Sequence, residues 1–271
     1  MRVARFHAPG DVRLEDAPEP TLGEREVKLR VRACSTCGTD VKISRFGHHH
    51  IHPPRVMGHE IAGEVVQSND DRWVPGDRVQ VIAAIPCGEC AFCAKGQQNI
   101  CPNQVSMGYH FDGGFAEYMI VPEAVLKVDG LNRIPENLSY EEASVAEPLA
   151  CALNAQELVR INPGDDVVVV GSGPIGCLHV RLARSYGAAR VFLVEISKER
   201  LDLAAELVNP DAAICSAEED AVERIKELTG GRGVDVAITA AASGAAQEQA
   251  MLMLARGGRI SFFGGLPKDK P

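Results

Sequence analysis

A two-domain α/β protein, with a β-rich first half and a doubly wound parallel sheet in the second, is what the sequence predicts, and three observations lead there. From Met1 to Leu149 apolar residues alternate in short runs broken by glycine and proline, as in Val27, Leu29, Val31 and again Val79, Val81. That is the period of strands with one buried face. After Asn162-Pro163-Gly164 the texture changes to apolar strands alternating with amphipathic helices, which requires parallel pairing through right-handed crossovers. The 271 residues also exceed one typical domain. The division predicted is a barrel-like domain over 1–149 and a nucleotide-binding domain over 150–271.

Composition removes several function classes. A net charge of -9, with acids and bases interleaved, does not suit a polyanion, so no nucleic-acid partner is expected. No run reaches the roughly 18 apolar residues that span a bilayer, and Met1 to Arg13 carries charges where a signal peptide has an apolar core. A cytoplasmic location without membrane attachment is the expectation. Nine cysteines in such a chain read as reduced thiols and metal ligands.

In the second half, a helical pattern begins at Ser139, and strands are expected at Asp166–Val170, Val191–Glu195, Ala212–Ile214, Val234–Thr239 and Arg259–Phe263, with helices between. Five strands are one fewer than a dinucleotide-binding sheet ordinarily has. The sequence stops soon after the fifth, at Gly264-Gly265-Leu266-Pro267, so the reading expects a fragment with an unpaired sheet edge.

The first strand of this half runs into Gly171-Ser172-Gly173-Pro174-Ile175-Gly176, and a helical stretch from Ile175 to Tyr186 follows at once. In that context G-x-G-x-x-G binds a dinucleotide. Gly171 permits the tight turn, Gly173 lets a pyrophosphate approach the backbone, and Gly176 lets helix and strand pack, with free amides at the helix start. Glu195 ends the next strand 19 positions after Gly176, where an acid accepts ribose hydroxyls and repels a 2'-phosphate. A glycine turn of another αβ protein is the dull alternative, and strand, helix and acid together weigh against it. NAD is therefore expected, with NADP as runner-up because Lys198 and Arg200 follow closely.

Cys87, Cys90 and Cys93 stand at C-x-x-C-x-x-C spacing, and Cys101 comes eight residues later. Four such thiols can close a tetrahedral shell around zinc. Iron–sulfur proteins use similar spacing, but the further cluster motifs of electron carriers are missing. A closed thiolate shell stabilises a loop without doing chemistry.

Three more pieces carry metal-type ligands: Cys37-Gly38-Thr39-Asp40, Gly58-His59-Glu60 and Glu147-Pro148-Leu149. Singly, each has a dull reading as a buried thiol, a satisfied core histidine or an exposed carboxylate. In order with Cys87 to Cys101, Gly113-Gly114-Phe115-Ala116-Glu117-Tyr118 and Gly171 to Gly176, they closely resemble the zinc-containing medium-chain dehydrogenases, in particular the sorbitol (polyol) and threonine dehydrogenase branch, over essentially the whole chain.

The resemblance implies a GroES-like catalytic domain followed by a Rossmann domain, two zincs per chain, and a homo-oligomer, dimer or tetramer, in the complete protein. It also implies a catalytic zinc held by Cys37 and His59 with Glu60 and Glu147 as carboxylate ligands, direct or through water. Pro148 is expected to bias Glu147 out of helical geometry and so aim its carboxylate into the interdomain cleft. Such a zinc acts as a Lewis acid on an alcohol, as it does when it brings the pKa of water from 15.7 to about 7. Hydride then passes to the nicotinamide, giving a ketone or aldehyde.

The family's proton relay begins at the hydroxyl matching Thr39 and usually ends at a histidine, whose place is taken here by Lys42. Lysine is a poor proton acceptor at neutral pH, so the reading expects either an alkaline optimum or a relay that bypasses Lys42 through water. The resemblance further implies that Arg45, Phe46, Tyr109 and His110 line the substrate pocket. His48, His49, His50 and His52 read as a loop with a polar role, because adjacent histidines point apart. Cys34, Cys151, Cys177 and Cys215 read as small core residues. The substrate expected is a secondary polyol such as sorbitol or xylitol. L-threonine is the alternative, and a non-catalytic zinc- and nucleotide-binding protein is the alternative of another class.

Overall fold

The alternation in the first half is realised as antiparallel sheets. The structure, a computed structural model, describes residues 1–266, so Pro267 of the expected terminal segment lies outside the described residues. The chain divides after Glu147 into two compact units.

The first unit holds β1 (Arg2–Ala8), β2 (Asp11–Asp16), β3 (Val27–Ser35), α1 (Gly38–Phe46), β4 (Arg55–Val56), β5 (Glu60–Ser68), β6 (Arg78–Val81), β7 (Ala84–Ile85), β8 (Val105–Ser106), β9 (Tyr118–Val121), α2 (Glu123–Lys127), β10 (Leu131–Arg133) and α3 (Tyr140–Ser144). A five-stranded sheet runs β10-β6-β5-β3-β9, beside a three-stranded sheet β2-β1-β4 and the short pair β7-β8. Val27, Leu29, Ile61, Val65, Val79 and Val81 are wholly buried on one face. Each such side chain contributes on the order of 1.5 to 3 kcal/mol of burial. The pairing of β3 with β5 ends at Ser35 opposite Glu60, which sets the segments carrying Cys37 and His59 side by side. Ser144 at the end of α3 is hydrogen-bonded through its Oγ to Ser35 Oγ at 2.6 Å, bringing the chain toward Glu147 to the same place.

In the second unit a helix, α4 (Ala146–Val159), leads into β11 (Asp166–Val170), α5 (Pro174–Ser185), β12 (Arg190–Glu195), α6 (Lys198–Val208), β13 (Ala212–Cys215), α7 (Ala221–Leu228), β14 (Val234–Thr239), α8 (Gly244–Leu252) and β15 (Leu254–Phe262). The strands pair in parallel in the order β13-β12-β11-β14-β15. This is the doubly wound arrangement, and the order reverses between β11 and β14, where such sheets bind ligands. Buried Asp166 accepts from Arg190 at 2.6 Å and from Arg232 at 2.6 Å, pinning the strand ends far from the glycine turn.

Three expectations need correction. Strand β15 begins at Leu254 rather than Arg259, because its register with β14 shifts and absorbs Gly257 and Gly258 in an irregularity. Glu147 is helical, since Pro148 falls in the first turn of α4, where a missing N–H costs no intrahelical bond. Cys151 is exposed, whereas Cys215 is buried and Cys34 and Cys177 are half-buried.

The wholly buried His179 of α5 takes a hydrogen bond on Nδ1 from Gln156 Nε2 at 3.1 Å, and its ring meets Phe263 edge-on. Burial lowers its pKa to about 4. The unfolded chain binds this proton from about pH 6.5 downward, while the folded chain refuses it until about pH 4. Stability is therefore full above pH 6.5 and falls as the pH drops through that window, by up to about 3 kcal/mol. A His179→Leu protein should show a drop in thermal midpoint between pH 7 and pH 5 smaller than the wild type's by roughly 5 °C; an equal drop in both would exclude His179 as the cause.

Candidate functional site

Helix α1 starts at Cys37, whose amide donates to Asp40 Oδ2 at 2.9 Å in a capping box. One local motif thus fixes the thiol at the helix entrance and buries the Asp40 carboxylate beneath it. His59 and Glu60 come from the start of β5 and are 7% and 4% exposed. Gly58 before them has φ +89°, and a Cβ there would lie 2.7 Å from the Phe115 ring and 2.8 Å from Cys34 Sγ. The Gly113-Gly114-Phe115 segment packs against it through backbone bonds to Val56, Gly58 and Met57. No side chain fits between these two stretches, so His59 is held from behind by backbone.

Cys37, His59 and Glu60 bring ligand atoms within 4.8 Å of one another. Glu147 is not part of that tight set, but its charge reaches Glu60. The electrostatics are those of a cation site. His59 Nδ1 and Asp40 Oδ1 are both buried without a hydrogen-bond partner, 3.6 Å apart. Burial works against charge on His59, yet Asp40 and Cys37 together push its pKa up to about 10. Hydrogen bonding with His59 lowers the Cys37 pKa against the cost of burial, and the amide and hydroxyl of Thr39 lower it further. Burial raises Glu60, as do the charges of Glu147 and Asp40, with His59 opposing. A half-buried thiol, a buried imidazole and the buried carboxylates of Asp40 and Glu60, with half-buried Glu147 in electrostatic reach, fit a divalent ion. Asp40, facing the ring nitrogen of a ligand, is the orienting partner that the spacing-based reading missed. The signal was present as an acid three positions after a helix-capping residue.

The four cysteines of the lobe also bring their sulfurs within 4.8 Å of one another. Its neck is closed by β7 and β8. Sulfur separations are 3.5 Å for Cys90 to Cys93, 3.6 Å for Cys101 to Cys87, 3.9 Å for Cys90 to Cys101 and 4.0 Å for Cys87 to Cys93. Thiolates about 2.3 Å from a shared tetrahedral zinc lie about 3.8 Å apart, and a disulfide is far shorter. The amides of Glu89 and Cys90 draw the Cys87 pKa down to about 6, whereas burial raises that of Cys93.

In the second unit Gly171 has φ +107°, and a Cβ on Gly176 would stand 1.9 Å from the Gly171 carbonyl oxygen. Gly173 is the N-cap of α5, with Pro174 and Ile175 in its first turn, so the amides of that turn are open at the switch point. Glu195 is 5% exposed at the end of β12. Its Oε2 accepts from the Ser172 amide and hydroxyl, and its Oε1 from the amides of Ile196 and Ser197. Both oxygens thus already brace the glycine turn to the start of α6. Arg200 Nη2 lies 3.7 Å from Glu195 Oε2, and a Cβ on Gly173 would come within 3.3 Å of the same nitrogen. Lys42 is exposed on α1, as are Arg45 and Phe46. The Tyr109 ring lies 6.2 Å from that of His59, and His110 is half-buried beside it.

Among known proteins, residues 23–130 match the alcohol dehydrogenase GroES-like domain family, and residues 174–271 the zinc-binding dehydrogenase family. Sorbitol dehydrogenase of Bacillus subtilis is 34% identical over 99% of this chain and 76% of its own length. L-threonine 3-dehydrogenase of Pyrococcus furiosus is 37% identical over 93% of this chain and 71% of its own length. A zinc-binding dehydrogenase from Sinorhizobium meliloti 1021, solved with NADP bound, superposes with a TM-score of 0.90 at 33% identity, covering 100% of this chain and 78% of that one. Among the described residues no helix is long and apolar enough to cross a membrane. A zinc-dependent dehydrogenase acting on the CH–OH group of a small alcohol is the activity these likenesses support, and the chain belongs to the zinc-type medium-chain dehydrogenase family, in its sorbitol and threonine dehydrogenase-like branch.

Proposed function

We propose that this chain oxidises a secondary alcohol of a polyol with NAD, using one zinc held by Cys37, His59 and Glu60 and a second held by Cys87, Cys90, Cys93 and Cys101. The observation that carries the reading is the convergence of half-buried Cys37 with buried His59 and Glu60 within 4.8 Å, with Asp40 behind the imidazole. Zinc held there supplies Lewis acidity toward an alcohol oxygen. Asp40 fixes the imidazole plane, and Glu147, half-buried on α4, is a reserve carboxylate within electrostatic reach of Glu60. The Thr39 hydroxyl, beside the Cys37 sulfur, accepts and passes on the proton released from the alcohol. The glycine turn and Arg200 orient the cofactor's phosphates and adenosine. The dehydrogenases named for L-threonine make that amino acid the competing substrate, to be separated from polyols on a panel. Purified protein should contain two zincs per chain, one lost on brief chelation together with NADH formation. One resistant zinc and no turnover would remove the catalytic assignment. Asp40→Asn preserves the helix cap and should weaken binding of the labile zinc by roughly ten- to a hundredfold.

Thr39 and Lys42 stand three positions apart, on one face of α1. Because Lys42 is exposed, the proton leaves Thr39 through water and does not depend on the amine. A Lys42→Ala enzyme should keep the wild-type pH–rate profile; a displaced alkaline limb would put Lys42 in the relay.

NAD is favoured over NADP by charge. Against the cost of burial, the amides of Ser172 and Ser197 hold the Glu195 pKa below the usual range, so a full negative charge persists at the end of β12 and opposes a 2'-phosphate. Wild type should show the higher kcat/KM with NAD, and Glu195→Gln should raise the NADP-to-NAD ratio by roughly tenfold or more. A wild-type preference for NADP would overturn the assignment and leave Arg200 as the phosphate contact.

A further inference from the structure

Beside the Cys37–His59–Glu60 set lies a group of imidazoles that the proposed reaction does not use. They come from the α1–β4 connection and from the turn after β8. The Tyr109 ring bridges the two groups, 6.2 Å from His59 on one side and edge-on to His48 at 5.1 Å on the other. From His48 the contacts continue to His49 at 4.5 Å and His50 at 5.4 Å, and His50 stands 5.3 Å from His110. The loop is anchored, because Ile51 is 5% exposed in a core with Phe6, Ile43 and Met57 against which Tyr109 packs.

The hydrogen bonds decide what these rings offer. The Ser106 amide donates to His110 Nδ1 at 3.1 Å, and the His50 amide donates to His48 Nδ1 at 3.3 Å. An imidazole whose Nδ1 accepts carries its proton on Nε2, so the His110 ring presents a donor and no free lone pair. That disfavours a metal, and the two ligand sets found among the described residues do not include these histidines. Arg55 adds further donors: Nη1 is bound to Asp112 Oδ1 at 3.0 Å, while Nε is buried without a partner. Asp112 Oδ1 is shared with the Val56 amide. Burial lowers the His110 pKa first, and the neighbouring His50, Arg55 and His52 lower it further. A face of N–H donors beside the Arg55 guanidinium suits an oxyanion.

We propose that His50, His110 and Arg55, with His48 and His52 at their margin, receive a terminal oxyanion, so that the substrate class is a short polyol bearing a phosphate or carboxylate at the end away from the reacting hydroxyl. This rests on the dehydrogenase reading above and narrows it. One aromatic ring separates the oxyanion face from the zinc-type set, which sets the span of the substrate.

Two measurements on the zinc-loaded protein test it. The first is turnover with NAD of a neutral polyol, its terminal phosphate ester and the matching aldonate. The second is binding of inorganic phosphate by calorimetry at pH 6 and pH 8. The expected result is kcat/KM at least tenfold higher for one of the two anions than for the neutral parent, the better anion identifying phosphate or carboxylate. The ratio of anion to parent should fall about tenfold in His50→Gln/His110→Gln. Phosphate should bind more tightly at pH 6, and more weakly in the double variant at both pH values. No anion preference, or a preference unchanged by the double variant, overturns the proposal. Absence of turnover on every alcohol, with phosphate binding still dependent on these histidines, would sink the dehydrogenase reading while the oxyanion site stands.

Discussion

The constraint on which the first unit's site depends is electrostatic: a half-buried thiol and the buried carboxylates of Asp40 and Glu60 gather around one imidazole, with no lysine or arginine among them. Such a group is tolerable only with a cation to share. The fold meets that demand with backbone more than with side chains. Gly58 and the Gly113–Phe115 segment interlock too closely for any Cβ, and the end of the β3–β5 ladder sets the two ligand-bearing segments in register. Cys37, His59 and Glu60 are thus positioned by strand pairing and close backbone approach, both of which resist reorganisation.

The second unit meets a different constraint, the placing of a glycine turn whose open amides lie at the switch point of the sheet. Its central strand is buried on both faces, with Val167 to Val170 at most 4% exposed, so it defines the position of the turn that follows. Glu195 links this turn to the next helix through both carboxylate oxygens. The acid expected to read the cofactor's ribose is therefore also a strut between the glycine turn and the start of α6.

Much of this was legible in the chain. The cysteine lobe and the glycine turn are local, so spacing alone carries their chemistry. The dispersed set of Cys37, His59 and Glu60 became legible only through resemblance, because its members are joined by a β ladder that spacing does not reveal. Pro148 misled because the bias on the residue before a proline is an average, and the first turn of a helix is the place where proline is harmless. Cys151 misled because α4 is apolar on several sides, with Leu149, Leu153 and Leu158 exposed, so the pattern does not mark its buried face. The imidazole tautomers could not be read at all, since they depend on which neighbouring amides fold back onto each ring.

The capping box at Cys37 has a thermodynamic consequence. Asp40 closes the first turn of α1 and also backs the imidazole of His59, so helix initiation and ligand orientation are one event. Any ion bound there draws its free energy partly from that turn and returns it as protection against fraying. Metal occupancy, on the reading proposed, would then be written into amide exchange rates along Cys37 to Val41, a segment whose one ligand-type group is the Cys37 sulfur.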